Sequence, residues 1–342
     1  MRTPSDAPAG PVTSAPALQR TSGRLTAADR WDHVLARWGV NRAGHRVEPG
    51  LYALGDPGRD APVFVTANYT LSFDALRSAV AGLDCFILVL DTKGINVWCA
   101  AGKGTFGTEE LVRRIGLTGL ADVVDRRTVI VPQLGATGVS AGEVKKGSGF
   151  SVEYGPVRAA DIPEYLVAHD ARPEMRRVRF GLVERLLLVP VEFVHVIVPM
   201  LAAAIALFFA GGWPAAWATV AAFSAGTILF PILLPWIPTP DFTTKGLILG
   251  SVVAAPFAAA PVAGSAGAPW WWGVGWGAVY VLGVAPVTSF LALLFTGSTT
   301  FTSKSGVARE ISRYTRLLAF TFGAGIALAI ALAIGGARGA VQ

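Results

Sequence analysis

Cysteine is nearly absent from this sequence, with only Cys85 and Cys99 among 342 residues. Two thiols with no repeating spacing exclude a disulfide framework and leave too few ligands for a resident iron–sulfur cluster. Charge is equally thin, at 15% against 52% apolar residues. Acidic residues almost vanish beyond Glu192, where only Asp241 and Glu310 follow. From Val196 to Ala308 the charged side chains are Asp241, Lys245 and Lys304 alone, which excludes a soluble surface for that stretch. The net charge is +6, yet the basic residues gather before and between apolar runs, without interleaved aromatics, so a nucleic-acid-binding face is excluded as well. No apolar run of signal-peptide length stands near Met1, and both thiols suit a reducing, cytoplasmic setting.

What is present falls into unlike halves. Residues 1–24 are rich in Pro, Ala, Ser and Thr and read as a disordered leader. Short apolar runs then alternate with helix-length amphipathic stretches over residues 25–170. Val63–Ala67, Phe86–Asp91, Thr128–Pro132 and Phe150–Tyr154 are expected strands, with helices at Ser72–Val80, Thr108–Ile115 and Gly138–Lys146. That punctuation predicts a Rossmann-like α/β domain whose parallel sheet is covered on both faces. A basic linker, 171–185, leads to five apolar segments of spanning length at about 186–210, 213–236, 246–263, 270–295 and 317–334. An all-α transmembrane domain over 186–342 is therefore expected. Arg172, Arg176, Arg177, Arg179 and Arg185 precede the first segment. Lys245, and then Lys304, Arg309, Arg313 and Arg316, occupy the second and fourth connections. Positive charge of this pattern predicts a multi-pass protein of the cytoplasmic (inner) membrane, with the α/β domain in the cytoplasm and the carboxyl terminus outside. Trp213, Trp236 and Trp270–Trp272 stand at segment ends, as interfacial aromatics should.

The chemistry is concentrated in Asp91–Gly107, where a buried strand passes into a helix through glycines. Gly94 permits a sharp turn, and Asn96 is a good N-cap for a short helix carrying Val97 to Ala101. Ala100, Ala101 and Gly102 leave room for a flat, bulky group. Cys99 then lies near a helix start with Lys103 close by, an electropositive setting for a soft sulfur ligand. A packed, inert cysteine is the competing reading of the same spacing. A phosphate loop fails, because Val97 replaces its first glycine and Gly104 follows Lys103 where Ser or Thr is required. No dinucleotide fingerprint is present, and Cys85 reads as core.

Asn96-Val-Trp-Cys-Ala-Ala-Gly-Lys103 resembles the cap-helix motif of the HgcA family of mercury-methylating corrinoid proteins. The likeness continues through Val65–Tyr69, Leu88–Gly94, Gly104–Leu111 and Tyr154–Arg158, and reaches the apolar half at Phe295–Ser298 and Phe301–Ser303. Thr137 and Gly142 depart from the family pattern, which bears on the loop Pro132–Val139 as a cofactor contact. A more distant resemblance is to the corrinoid iron–sulfur proteins of the acetyl-CoA pathway. The resemblance implies a cobalamin-type corrinoid, bound base-off, with Cys99 as lower cobalt ligand and as catalytic residue. Its implied contacts are Thr66, Asn68, Thr92, Gly94, Asn96, Val97, Trp98, Cys99, Ala100, Ala101, Gly102 and Lys103. None of His33, His45, His169 or His195 lies in the Asp-x-His-x-x-Gly pattern of histidine-ligated corrinoid proteins. The implied activity is methyl transfer from methyl-cobalt(III) to mercuric ion, producing methylmercury. Implied partners are an HgcB-type ferredoxin with iron–sulfur clusters, a methylated pterin donor system, mercuric ion and the lipid bilayer. Two alternatives stand beside this reading: a membrane-anchored corrinoid methyltransferase of one-carbon metabolism with another acceptor, and a transporter with a cytoplasmic regulatory domain. Glu192 and His195, one helical turn apart in the first apolar segment, belong to the second alternative.

Overall fold

The computed structural model describes residues 18–168, 170–265, 269–299 and 303–339. The chain divides into two compact units, one of Met1–Ala36 and Val40–Val178, the other of Arg179–Gln342 with Arg37–Gly39.

The first unit is an α/β sandwich. Its strands are β1 (Gln19–Thr21), β2 (Gly50–Leu54), β3 (Val63–Ala67), β4 (Cys85–Leu90), β5 (Thr128–Val131) and β6 (Ser151–Tyr154), ordered β1-β2-β4-β3-β5-β6. Four of them, β4, β3, β5 and β6, pair in parallel, as the alternation of strand and helix predicts. β2 runs antiparallel to β4, and β1 parallel to β2, so the sheet is mixed rather than wholly parallel. This edge escaped the sequence reading because nothing within Gly50–Leu54 signals that its partner β4 runs in the opposite direction. Gln19–Thr21 also corrects the leader, whose last residues are a strand held by the backbone of Tyr52–Leu54.

Helices α1 (Ala27–Arg37), α2 (Thr70–Ala79), α3 (Val97–Lys103), α4 (Thr108–Leu117), α5 (Leu120–Val123), α6 (Ala141–Ser148) and α7 (Ile162–Ala168) complete the unit. Because successive side chains in a strand point to opposite faces, β3 and β4 feed two cores. Val63, Val65, Ala67, Phe86, Leu88 and Leu90 pack on one face with α3 and α4 residues; Phe64, Cys85, Ile87 and Val89 pack on the other with Phe73, Leu76 and Tyr165. Ala171 and Met175 join the second core, and the Val157 amide donates to the Met175 carbonyl at 2.7 Å. The expected linker 171–185 is therefore, in its first half, part of the α/β unit.

The second unit is helical: α8 (Leu182–Leu186), α9 (Val189–Ser224), α10 (Phe230–Leu233), α11 (Phe242–Gly264), α12 (Trp270–Leu294) and α13 (Lys304–Gly339). Four helical runs among the described residues are long and apolar enough to cross a membrane, and the first, Leu182–Leu233, has 52 residues. Drawn straight, Arg185 and Pro231 would lie about 70 Å apart. Instead the Arg185 guanidinium donates to the Pro231 carbonyl at 2.9 Å. The run doubles back at Gly212, whose φ of 72° and ψ of −165° are non-helical. The expected segments 186–210 and 213–236 are the two arms of this hairpin, while 317–334 lies inside the 36-residue α13. α11 and α12 approach to backbone contact: a Cβ on Gly246 would lie 2.6 Å from the Ser289 Cα, and one on Gly250 2.7 Å from the Ala285 Cα. Small residues of this kind let dispersion and packing hold helices together where lipid offers no hydrophobic drive. In the fourth connection, Phe301 and Thr302 lie outside the described residues.

Candidate functional site

The strand order reverses at β3: the crossover from β3 leads to β4 on one side, and the connection from β4 returns past β3 to β5 on the other. Open α/β sheets bind ligands beyond the carboxyl ends of the strands at such a point. Here those ends carry Asn68 and Asp91–Asn96, the segment singled out by the motif.

Asn68 organises the turn. Its Oδ1 accepts from the Thr92 amide at 3.1 Å, the Gly94 amide at 2.9 Å and lies 2.9 Å from the Thr92 hydroxyl, while its Nδ2 donates to Asp91 at 3.4 Å. The Thr92 hydroxyl also reaches the Ile95 carbonyl at 2.6 Å. On the other flank, the Asp91 amide donates to Glu110 Oε1 at 2.9 Å, and Arg114 holds that carboxylate at 2.7 Å. Lys93 and Gly94 follow one another at φ of 58° and 73°, two left-handed residues that reverse the chain over this hydrogen-bonded floor. The positive φ at Gly94 favours glycine, and a Cβ there would also sit 2.8 Å from the Arg46 Nε, so that side chain would have to shift.

The turn delivers α3. The Asn96 side chain accepts from the Cys99 amide at 2.9 Å, the expected N-cap, and Gly104 closes the helix at φ of 83°. Val97, Ala100 and Ala101 are buried in the core, at the helical spacing that makes one face. Cys99 and Trp98 are half-buried on the remaining faces, and Asn96, Gly102 and Lys103 are exposed. This arrangement revises the reading of the small residues. The alanines allow α3 to approach the loop behind it, where a Cβ on Gly138 would meet the Ala101 Cα at 3.1 Å. Gly102 is the residue that leaves room outside, since a Cβ there would meet nothing within 4 Å.

The expected contacts accordingly separate. Thr66, Asn68 and Thr92 are buried, and Asn68 and Thr92 hold the backbone of the turn. Val97, Ala100 and Ala101 face inward; Asn96, Trp98, Cys99, Gly102 and Lys103 share the outer side of the cap. Arg46 and Glu110 were not anticipated. Glu110 had a sequence signal in the Thr108-Glu-Glu start of α4, whereas Arg46 comes from a segment with no local pattern. The loop Pro132–Val139 backs α3 rather than facing outward: the Thr108 amide donates to the Gly138 carbonyl at 3.1 Å, and the Tyr154 hydroxyl to the Val139 carbonyl at 2.6 Å.

The two cysteines have opposite environments. Cys85 is fully buried in β4, where burial first and the Asp84 carboxylate second push its thiol up to about 12. Cys99 is a free, half-buried thiol at the cap. No group of three or more His, Cys, Asp or Glu side chains that could cage a metal occurs among the described residues. A lone sulfur beside an open glycine flank suits a metal whose other donors belong to its own macrocycle, and the residues present fit such a group. Of the residues the transporter alternative relied on, His195 Nδ1 lies 2.5 Å from the Val191 carbonyl of its own helix.

Residues 40–166 match the family described as CO dehydrogenase/acetyl-CoA synthase delta subunit. The acetyl-CoA decarbonylase/synthase complex subunit gamma of Methanopyrus kandleri is 35% identical over 127 residues, 36% of this chain and 27% of that protein. Its counterpart in Archaeoglobus fulgidus is 32% identical over 123 residues, 35% of this chain and 26% of that protein. The Methanocaldococcus jannaschii subunit is 31% identical over 127 residues, with 36% and 26% covered. The chain thus spans about a quarter of the length of these curated relatives. The α/β unit of this chain is similar to subunits of acetyl-CoA decarbonylase/synthase and CO dehydrogenase/acetyl-CoA synthase, and the family match ends at residue 166, before the helical unit begins.

Proposed function

We propose that this chain is a membrane-anchored corrinoid protein that transfers a methyl group to mercuric ion, with the Cys99 thiolate as lower axial ligand of a base-off corrinoid. The observation that carries the reading is the cap itself: a helix that buries Val97, Ala100 and Ala101 and leaves the Cys99 sulfur half-exposed beside the open flank of Gly102. The corrinoid, when bound, supplies the carbon–metal chemistry. The chain's part is to fix one sulfur. Asn96 holds the Cys99 amide, the core holds the opposite helix face, and Asn68 and Glu110 hold the turn from which the helix starts. The Cys99 thiolate would be the protein's donor to the bound group, and a soft, electron-rich donor of this kind would favour methyl transfer to a soft, electron-poor metal ion.

With two cysteines and no cluster of its own, the chain takes reducing electrons from outside, in this reading from an HgcB-type ferredoxin, and the methyl group from a methylated pterin system. The hairpin at Gly212 supports five crossings, and the basic residues before α8 and in the second and fourth connections favour a cytoplasmic side for the α/β unit. A second reading, a methyl carrier with an acceptor other than mercury, draws on the relatives, which are acetyl-CoA decarbonylase/synthase subunits.

The test uses the full chain, loaded anaerobically with corrinoid. Cys99→Ala should stay folded and membrane-inserted while losing both the thiolate-to-cobalt absorption band and methylmercury formation from mercuric ion, and Cys85→Ala should keep both. An unaltered cobalt spectrum in Cys99→Ala overturns the ligation. Normal ligation in the wild type, with no methylmercury when a reduced ferredoxin and a methyl donor are supplied, favours the second reading.

A further inference from the structure

Helix α1 is amphipathic in the reverse sense for a helix packed on a soluble body. Asp29, Asp32, His33 and Ala36 fall on one face at helical spacing, and this polar face is turned inward. There Asp29 accepts from Arg77 at 2.9 Å, Asp32 from the Thr70 hydroxyl at 2.8 Å and lies 2.7 Å from His45, and His33 lies 2.7 Å from Asp74. The opposite face is apolar and open. Trp31 is 63% exposed, Val34 41%, and Trp38, one turn further, 47%. Arg30 beside that face and Arg42 just beyond it are exposed and make no ion pair among the described residues. Both carboxylates of the helix being engaged on the inner side, the outer side presents indole rings and positive charge together.

We propose that this face of α1 docks on the surface of the bilayer, at the level of anionic headgroups. Three observations favour lipid as the occupant. Indole rings prefer the membrane–water interface, and Trp31 and Trp38 flank the exposed Val34. The arginines complement anionic headgroups, each adding attraction within a Debye length of the surface. The α/β unit moreover runs into the first apolar run within three residues, Arg179, Phe180 and Gly181, a reach of at most about 14 Å for four extended steps from Val178 to α8, so a bilayer surface is close at hand by covalent geometry. An interfacial helix with an aromatic face and basic flanks is the ordinary form of such a contact. The inference does not depend on the cofactor or on the methyl acceptor.

Val34→Cys, in a Cys99→Ser chain with Cys85 sealed in the core, provides a single spin-label position for the test. The full chain is reconstituted in nanodiscs of phosphatidylglycerol and phosphatidylethanolamine, and collision with lipid-soluble oxygen is compared with collision with a water-soluble nickel chelate. A label at position 34 should favour oxygen over nickel several-fold relative to one introduced by Glu143→Cys, an exposed position on α6. Adding Trp31→Ser and Trp38→Ser should restore nickel access at position 34 and leave the Glu143→Cys label unchanged. Equal nickel access at positions 34 and 143 would overturn the proposal. Shielding of position 34 from both reagents would also overturn it, by identifying a protein partner or a second copy as the occupant.

Discussion

Asn68→Ala isolates what the floor of the turn contributes. The substitution removes the acceptor of the Gly94 amide and one of two acceptors of the Thr92 amide, whose other contact is the Leu90 carbonyl at 3.1 Å. The Thr92 hydroxyl keeps the Ile95 carbonyl, so it is not orphaned. One stranded donor costs about 1–3 kcal/mol and a half-satisfied one less, which sums to about 2–3 kcal/mol. For a unit of this size each kcal/mol shifts the midpoint by about 2–4 °C, so melting should fall by about 4–12 °C. Hydrogen exchange read on 91–96 of the full chain in detergent should quicken before the rest of the sheet opens. Asn68→Asp keeps every acceptor but sets a second carboxylate where an amide now lies 3.4 Å from Asp91. It should therefore be destabilised at neutral pH and recover on acidification, when one of the two oxygens gains a proton and can donate. A loss below about 0.5 kcal/mol in Asn68→Ala, with unchanged exchange over 91–96, would refute the role assigned to Asn68 and leave Lys93 and Gly94 as sufficient to make the turn.

Other expectations follow from the same geometry. At pH 8 a maleimide should modify Cys99 in the folded chain and leave Cys85 untouched, because a thiol pushed up to about 12 is only about one part in ten thousand thiolate at that pH and is sealed as well; equal labelling, read by mass spectrometry, would contradict this. Gly250→Leu should part α11 from α12, since even a Cβ there meets the Ala285 Cα at 2.7 Å, and should lower the aggregation temperature in detergent far more than Gly264→Leu, whose added Cβ meets nothing within 4 Å. Reporter fusions should show a cytoplasmic amino terminus and an external carboxyl terminus, and a cytoplasm-only reporter active after Gln342 would overturn the five-crossing topology.

Composition alone separated the two halves of this chain, because hydrocarbon tolerates almost no charge and a soluble surface requires it. Near-continuous apolar runs announced β3 and β4, whose side chains are buried on both faces, and the glycine and asparagine of the motif announced the turn and the cap. These are local signals, carried by backbone preference and by short hydrogen-bonded rings. The sequence could not reveal the antiparallel edge, since β2 pairs with β4 across more than 30 residues of chain and nothing within Gly50–Leu54 states the direction of its neighbour. Nor could it sort the motif by facing. Ala100 and Gly102 are alike small, yet one is sealed against the core and the other opens outward, a difference set by where the sheet, the loop Pro132–Val139 and α4 lie around the helix. The same holds for Asn68, a plausible ligand contact by its place at a strand end. Only the assembled fold turned its amide toward Thr92 and Gly94, because buried backbone donors need an acceptor and no other side chain reaches them.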